Sequence, residues 1–549
     1  MKRSGSSLNK CGSVAGGVLL LSLSTVAVKI IGLAYKIPMI SLLGAEGMGY
    51  FNSAYEIYAL LCIIATAGLP IALSMRVSVS LERGEYTEVS RIYRSAMALF
   101  VAIGAVGGAF MLAFAESIAG WLENPLCAPA IRAIAPSLLC ICISSAVRGY
   151  FQGFGKMLPS ALSQLIEALG KLILGVLFAK LAKDSGCDVA TSAAFGILGV
   201  SLGTLMSLIY LLLLKHRGDK QENREPFPTA SVKGERRPLY SLLRIAIPIT
   251  LSSAILGVTR LADMALIMKR LQDIGYSAAG ANVIYGSYTT LAVPIFNLLP
   301  SLIAPIALAV VVRLSAAIES GSVTVAQKIL SAALRISVLF SMPASFAIAV
   351  YSPQILGLLF SGSVDAISVA SPLLSILGAS VLFSCLITTT NAILQAYGRA
   401  TVPMIAMGIG AALKIIFAYM LIGIDRIGAY GAPISTLICD FTITAINFYY
   451  INKCSKESVG VAKLYLRPLA ASLSMMTVSF AGYILLQRLG RGESISFLFA
   501  AALGVISYAF FSLVFGALLQ EDIMALPFGE RILDILERCK IYDSKERTK

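Results

Sequence analysis

Val14–Lys36 reads VAGGVLLLSLSTVAVKIIGLAYK, a run whose only charges are Lys29 and the closing Lys36. A helix rises 1.5 Å per residue, so a run of this length spans a hydrocarbon core of about 30 Å. Further apolar runs follow near 50–74, 94–116, 130–150, 158–180, 193–214, 242–267, 284–312, 330–351, 369–394, 401–423, 429–450, 466–487 and 494–518. The composition of the whole chain agrees: of 549 residues 57% are hydrophobic and 13% charged, with a mean hydropathy of +0.83. Soluble domains carry about 25% charged residues; half that proportion cannot cover a water-facing surface. The sequence predicts an all-α polytopic membrane protein with about 14 transmembrane helices.

The net charge of +15 reflects orientation in the membrane. If the even loops and both termini are placed inside, about 30 of the 44 Lys and Arg fall on that side. About seven fall on the other: Lys180, Lys183, Lys269, Arg270, Arg426, Arg488 and Arg491. The positive-inside rule then puts both termini in the cytoplasm of a multi-pass protein of the cytoplasmic membrane. No nucleic-acid partner is implied. The first run is too long, and too interrupted by lysine, for a cleaved signal.

Enzyme classes fall away on the same composition. The one histidine, His216, sits in a polar loop between Lys215 and Arg217, and the one tryptophan is Trp121. Neither a histidine metal site nor a Ser-His-Asp set can be assembled. The ten cysteines are scattered, and Cys140 and Cys142 point to different sides of a helix. No G-x-x-x-x-G-K-[ST] motif occurs, so the chain has no ATPase of its own. We expect no cofactor and no metal, and a cycle driven by a coupling ion (Na⁺ or H⁺), the membrane potential or substrate consumption on the far side.

The chain repeats itself. Pro70-Ile71-Ala72-Leu73 returns as Pro305-Ile306-Ala307-Leu308, and Tyr50 as Tyr285, both at an offset of 235. Leu81–Gly84 matches Ile318–Gly321 at 237, and Arg91 matches Lys328. At 243, Gln152–Lys156 faces Gln395–Arg399, and Lys171 faces Lys414. A collinear series with drifting offsets marks a duplication. Six helices per unit keep both copies in the same orientation, a transporter architecture with its site near the midplane. The expected division is an N-lobe over 1–214, a cytoplasmic loop over 215–240, a C-lobe over 241–450, two added helices over 451–519 and an amphipathic tail over 520–549.

Ionisable residues inside spans cost about 2.5–3.5 kcal/mol each on insertion scales and need a reason. Lys29 and Lys36 lie two turns apart on one face of the first helix. Arg260 lies on the first helix of the second lobe. Three cations on these two helices suit an anion such as phosphate or pyrophosphate. Glu56, Asp263 and Asp440 are the cavity or coupling carboxylates, with Asp263 also placed to pair with Arg260. Glu167 and Lys171 stand at i,i+4 and can neutralise each other. Together with the repeat-equivalent Lys414 they read as structural charges.

Several stretches resemble one superfamily. Lys29-Ile-Ile-Gly-Leu-Ala-Tyr-Lys36 followed by Leu43-Gly44-Ala-Glu-Gly47 is similar to its R-x-x-G…R…x-G-x-x-G opening. Gly68-Leu69-Pro70-Ile71-Ala72 with Glu82-Arg83-Gly84 is similar to its G-L-P-x-A helix and loop, and Arg148-Gly149-Tyr150-Phe151-Gln152-Gly153 to its R-G-x-x-Q-G. The chain thus resembles the multidrug/oligosaccharidyl-lipid/polysaccharide exporter superfamily, and within it the stage V sporulation protein B and MurJ-like group. The resemblance implies a flippase for undecaprenyl-pyrophosphate-linked saccharides, lipid II first, working by alternating access in peptidoglycan synthesis or sporulation, with the lipid-linked saccharide, the lipid bilayer and cell-wall synthesis proteins as its expected partners. It assigns Lys29 and Lys36 to the pyrophosphate, where lysine keeps the charge of the family's arginine but loses its planar fork. Glu56 and Cys62-Ile63 depart from the basic residues that MurJ-type second helices carry. A cation-coupled multidrug exporter of the same superfamily is the alternative, although that branch usually has twelve helices and an acidic cavity. A multi-span envelope-sugar polymerase or ligase would need catalytic groups in a large outer loop, and no outer loop exceeds about 20 residues.

Overall fold

The computed structural model describes residues 5–222, 238–455 and 461–517. The middle of the expected 215–240 loop and the amphipathic tail expected over 520–549 lie outside the described residues. Helix follows helix: α1 (Gly5–Thr66), α2 (Leu69–Glu82), α3 (Tyr86–Ala113), the short α4 (Ala115–Trp121), α5 (Ala128–Gly153), α6 (Leu158–Asp184), α7 (Val189–Glu222) and α8 (Pro238–Asp273). There follow α9 (Ala278–Ser287), α10 (Val293–Glu319), α11 (Val323–Leu359), α12 (Val364–Ala396), α13 (Thr401–Ile422), α14 (Gly431–Cys454), α15 (Val461–Arg488) and α16 (Glu493–Val514). The described part of each apolar run read from the sequence is mostly helical, although 50–74, 94–116 and 284–312 each extend over more than one helix.

Among the described residues, twelve stretches are long and apolar enough to cross a membrane. The sequence suggested about 14. Ser24–Leu81 unites the first two runs in one stretch, while the fifth run lies on α6, which is not one of the twelve. The first two runs are nonetheless separate helices, because α1 breaks at Gly44, where φ is 68° and ψ 179°. That backbone conformation is open essentially to glycine alone. Lys183 Nζ donates to the Leu42 carbonyl at 2.6 Å just before the break, satisfying a helix-end carbonyl with a cation.

Small and polar residues share the buried faces with large apolar ones, and other large apolar side chains face outward. On α5 the buried face includes Ser137, Ser144, Ser145 and Gly149, whereas Val505 and Ile506 of α16 are 72% and 68% exposed. Lipid is as apolar as leucine, so helices gain by close approach and large side chains turn outward. The α6–α7 pair carries this furthest: a methyl on Gly199 would lie 2.2 Å from the backbone nitrogen of Gly175.

The chain forms two compact units, Met1–Leu291 with Ala418–Ala429, and Ala292–Phe417 with Tyr430–Lys549. The first therefore runs past the 215–240 loop and takes in α8 and α9, which pack on α1 and α2. A methyl on Gly68 would meet the Ala246 carbonyl oxygen at 2.2 Å, and one on Gly257 the Leu60 side chain at 2.9 Å. In the second unit Leu314, Leu330, Leu334, Leu386 and Ile393 centre one core cluster. There α15 and α16 are hydrogen-bonded to α11: Tyr351 to Ser479 at 3.0 Å, and Tyr508 to the Leu339 carbonyl at 2.6 Å.

Candidate functional site

Most of the membrane-embedded charges singled out in the sequence fall in the first unit. Lys29 is exposed and Lys36 half-buried on α1. Lys29 lies within electrostatic reach of Arg260 on α8, which is also exposed. Lys36 is within reach of Glu56, on the part of α1 beyond Gly44, and of Lys171 on α6. Glu56 and the half-buried Asp263 both act on Tyr285 of α9. The structure thus brings Lys29 to Arg260, Lys36 to Glu56, and Glu56 and Asp263 to one tyrosine.

Glu167 and Lys171 find other principal partners than each other. Arg148 of α5 donates to Glu167 Oε2 at 2.9 Å, and also to Ser163 at 2.8 Å and Ser207 at 3.0 Å. Lys171 Nζ lies 5.1 Å from the centre of the Tyr55 ring, a cation–π geometry. Spacing along one helix suggested an internal pair; the ion pair at hydrogen-bonding distance runs between helices and ties α5, α6 and α7 into one knot. Among these side chains, Lys29, Lys36, Arg148, Lys171 and Arg260 outnumber Glu56, Glu167 and Asp263 by two.

A second set of polar groups was not singled out in the sequence. Asn52 of α1 donates to the hydroxyls of Thr289 and Thr290 at 2.9 and 2.8 Å. Asn124, in the loop after α4, donates to Ser53 at 3.1 Å and to Asn282 of α9 at 2.9 Å. Asn282 donates to the Glu46 carbonyl at 2.8 Å. Lys36 Nζ joins this set by donating to the Thr289 carbonyl at 2.7 Å. The helices touch through backbone here: a methyl on Gly286 would lie 2.0 Å from the Ala45 carbonyl oxygen, and one on Gly49 2.3 Å from Asn282 Oδ1. The signal in the sequence was an asparagine set beside the repeat-matched Tyr50 and Tyr285; a search for charge passes over it.

Asp440 and Lys414 belong to the second unit. Asp440 of α14 accepts from Ser380 of α12 at 2.7 Å and faces the charge of Lys414 on α13. Within this unit, carboxylate and ammonium oppose each other.

The sequence profile of a family described as polysaccharide biosynthesis protein matches residues 14–319, more than half of the chain. The chain belongs to the polysaccharide biosynthesis protein family. A MatE profile also matches residues 287–420 of this family member, in keeping with the multidrug/oligosaccharidyl-lipid/polysaccharide superfamily. In Bacillus subtilis (strain 168), a protein called Uncharacterized membrane protein YabM is 25% identical over 535 residues, covering 95% of this chain and 96% of that protein. Stage V sporulation protein B of the same organism is 22% identical over 523 residues, with coverage of 94% and 98%. Its Lipid II flippase MurJ is 27% identical over 442 residues, with coverage of 77% and 79%. A solved structure of Lipid II flippase MurJ in an inward closed conformation matches with a TM-score of 0.70 at 16% identity, covering 90% of this chain and 98% of that one. The fold of this polysaccharide biosynthesis family member is thus that of superfamily transporters, embedded in a membrane through many helices.

Proposed function

We propose that the protein is a flippase that moves an undecaprenyl-pyrophosphate-linked saccharide, lipid II being the first candidate, across the cytoplasmic membrane by alternating access. The observation that carries this reading is the cationic surplus on α1, α5, α6 and α8. Charges kept inside a membrane without full compensation are expensive, and a pyrophosphate supplies what is missing. Lys29, Lys36 and Arg260 are assigned to that group, with Glu56 and Asp263 limiting the field around it. A surplus of positive charge disfavours the cationic substrates of a multidrug exporter. Family membership and the similarity to Lipid II flippase MurJ support a lipid-linked substrate over an enzyme's reaction. Asp440 is assigned to energy coupling through Na⁺ or H⁺, with the membrane potential acting on the same cycle, and both termini are assigned to the cytoplasm.

The test is rescue of bacteria depleted of their own lipid II flippase, reading growth and the lipid II accessible on the outer face. Wild-type protein is expected to rescue, and Lys29→Ala/Lys36→Ala at matched abundance is not. A correctly inserted wild-type protein that gives no rescue excludes lipid II as the cargo. Rescue that survives the double substitution removes both lysines from the site.

A further inference from the structure

The carbonyl that Lys36 reaches belongs to Thr289, inside a stretch where the register of the helix changes. A π-helical turn occupies Tyr288–Ala292, and such a turn pairs a carbonyl with the N–H five residues on. For Thr289 that residue is Pro294, which has no N–H to give. A buried carbonyl left without a donor costs free energy comparable to a lost hydrogen bond. Lys36 Nζ supplies the donor at 2.7 Å. The turn is fastened to α1 a second time by Asn52, through the Thr289 and Thr290 hydroxyls. Thr289 Oγ1 in turn donates to the Tyr285 carbonyl at 2.7 Å. An ammonium has three protons, so this contact leaves Lys36 two for another acceptor while holding its flexible stem in one place.

We propose that Pro294 is a positioning residue for anion binding: by orphaning the Thr289 carbonyl it creates the acceptor that holds the Lys36 ammonium ready for a phosphate group, and so ties anion affinity to closure of α1 on α9. This rests on the reading that Lys36 faces the substrate pyrophosphate. With α1 and α9 in contact, the lysine is ordered before the anion arrives, and binding does not have to freeze its rotamers. When the two helices part, the anchor is lost and the anion is held less tightly, which favours release. Linkage makes the effect reciprocal: pyrophosphate tightens the α1–α9 seam by the factor that the closed seam tightens pyrophosphate.

The test uses the full chain in nanodiscs with inorganic pyrophosphate as probe. Affinity is read by calorimetry, and seam opening by the peptide-resolved rate at which native Cys127 reacts with a small thiol reagent. Cys127 is fully buried and within reach of Tyr50 of α1 and Tyr285 of α9. Pro294→Ala gives Thr289 a helical N–H partner; Lys36→Met removes the donor. Each is expected to weaken pyrophosphate about tenfold, the scale of a lysine's rotamer entropy, and to speed Cys127 labelling. The double variant is expected to bind no worse than Lys36→Met alone, and Lys36→Arg to label as slowly as wild type. Pyrophosphate should slow labelling of wild type and not of Pro294→Ala. Wild-type affinity and labelling in Pro294→Ala, or additive losses in the double variant, overturn the proposal. Should Pro294→Ala unfold at lower temperature, Pro294→Gly restores the same N–H and repeats the comparison. If pyrophosphate does not bind wild type, the proposed function and the anion half of this inference fall together. Ligand-free labelling then still decides, for or against, whether Pro294 acts through Lys36 on the seam.

Discussion

The α5–α6–α7 trio of the first unit and the α12–α13–α14 trio of the second come from the same repeat but are tied by different chemistry. An offset of 243 carries Ser137 to Ser380, Arg148 to Asn391 and Lys171 to Lys414. In the first trio a guanidinium gathers Ser163, Glu167 and Ser207. In the second, Asn447 donates to Thr390 at 2.9 Å and to Asn391 at 2.8 Å, with no charge in that knot. The lysines diverge as well: Lys171 rests on an aromatic ring, whereas Lys414 faces Asp440. One helical frame thus accepts an ionic knot or an amide knot. The two differ in what happens when a member is removed, since a buried charge left alone costs far more than a buried amide.

The largest expected effect is therefore Arg148→Met, which leaves Glu167 only the more distant charge of Lys171 and should lower unfolding free energy by about 3 kcal/mol. The double variant Arg148→Met/Glu167→Leu should recover more than half of that loss. Both are read by denaturant titration in mixed micelles; a single variant no worse than the double would dissolve the contrast between the trios. Next comes Asp440→Asn. It keeps an acceptor for Ser380 but removes the carboxylate charge that faces Lys414, with an expected loss of about 1–3 kcal/mol. Adding Lys414→Met should return part of it, and an Asp440→Asn protein of unchanged stability would mean that the two do not compensate each other. Asn447→Leu removes two neutral hydrogen bonds and should cost about 1 kcal/mol, the scale measured for polar contacts between membrane helices. A loss matching that of Arg148→Met would show that the amide knot is no cheaper to break.

The smallest effect concerns how the last helix of each trio begins. Asp188 caps α7 by accepting from the Thr191 N–H at 3.3 Å, while α14 starts at Tyr430 with no side-chain cap. The Thr191 hydroxyl, and after it the Thr191 N–H, hold the Asp188 carboxyl below its ordinary value. A depressed carboxylate contributes stability that is present above its unfolded pKa of about 4 and fades as pH falls through the folded value. Asp188→Ala should thus destabilise slightly at neutral pH and not at all in strong acid. An equal loss at both pH values would assign the effect to packing.

Much of the frame was written in the apolar runs, because a helix in lipid must be apolar over its whole length and the signal is long. The repeat was equally legible, since Lys171 and Lys414 stand out against hydrocarbon. Partners were not. Spacing along a helix reveals only neighbours on that helix, so Glu167 suggested Lys171, whereas the ion pair goes to Arg148 from a different run. Asn52, Asn124 and Asn282 carry no charge and lie far apart in sequence. Their association depends on backbone contact at Gly49 and Gly286, which no periodicity encodes. The Thr289 carbonyl is less visible still, because its vacancy comes from a proline five residues away in a turn that is not α-helical.

Trp121 ends α4 three residues before Asn124, is 64% exposed and is the chain's one tryptophan. The protein therefore emits its indole fluorescence from a single address, beside the loop that Asn124 clamps to Ser53 and Asn282. Parting of those side chains changes the surroundings of that one fluorophore. Native, unlabelled protein mixed rapidly with a ligand can thus be followed optically, with the tempo of the loop read directly from wavelength and anisotropy.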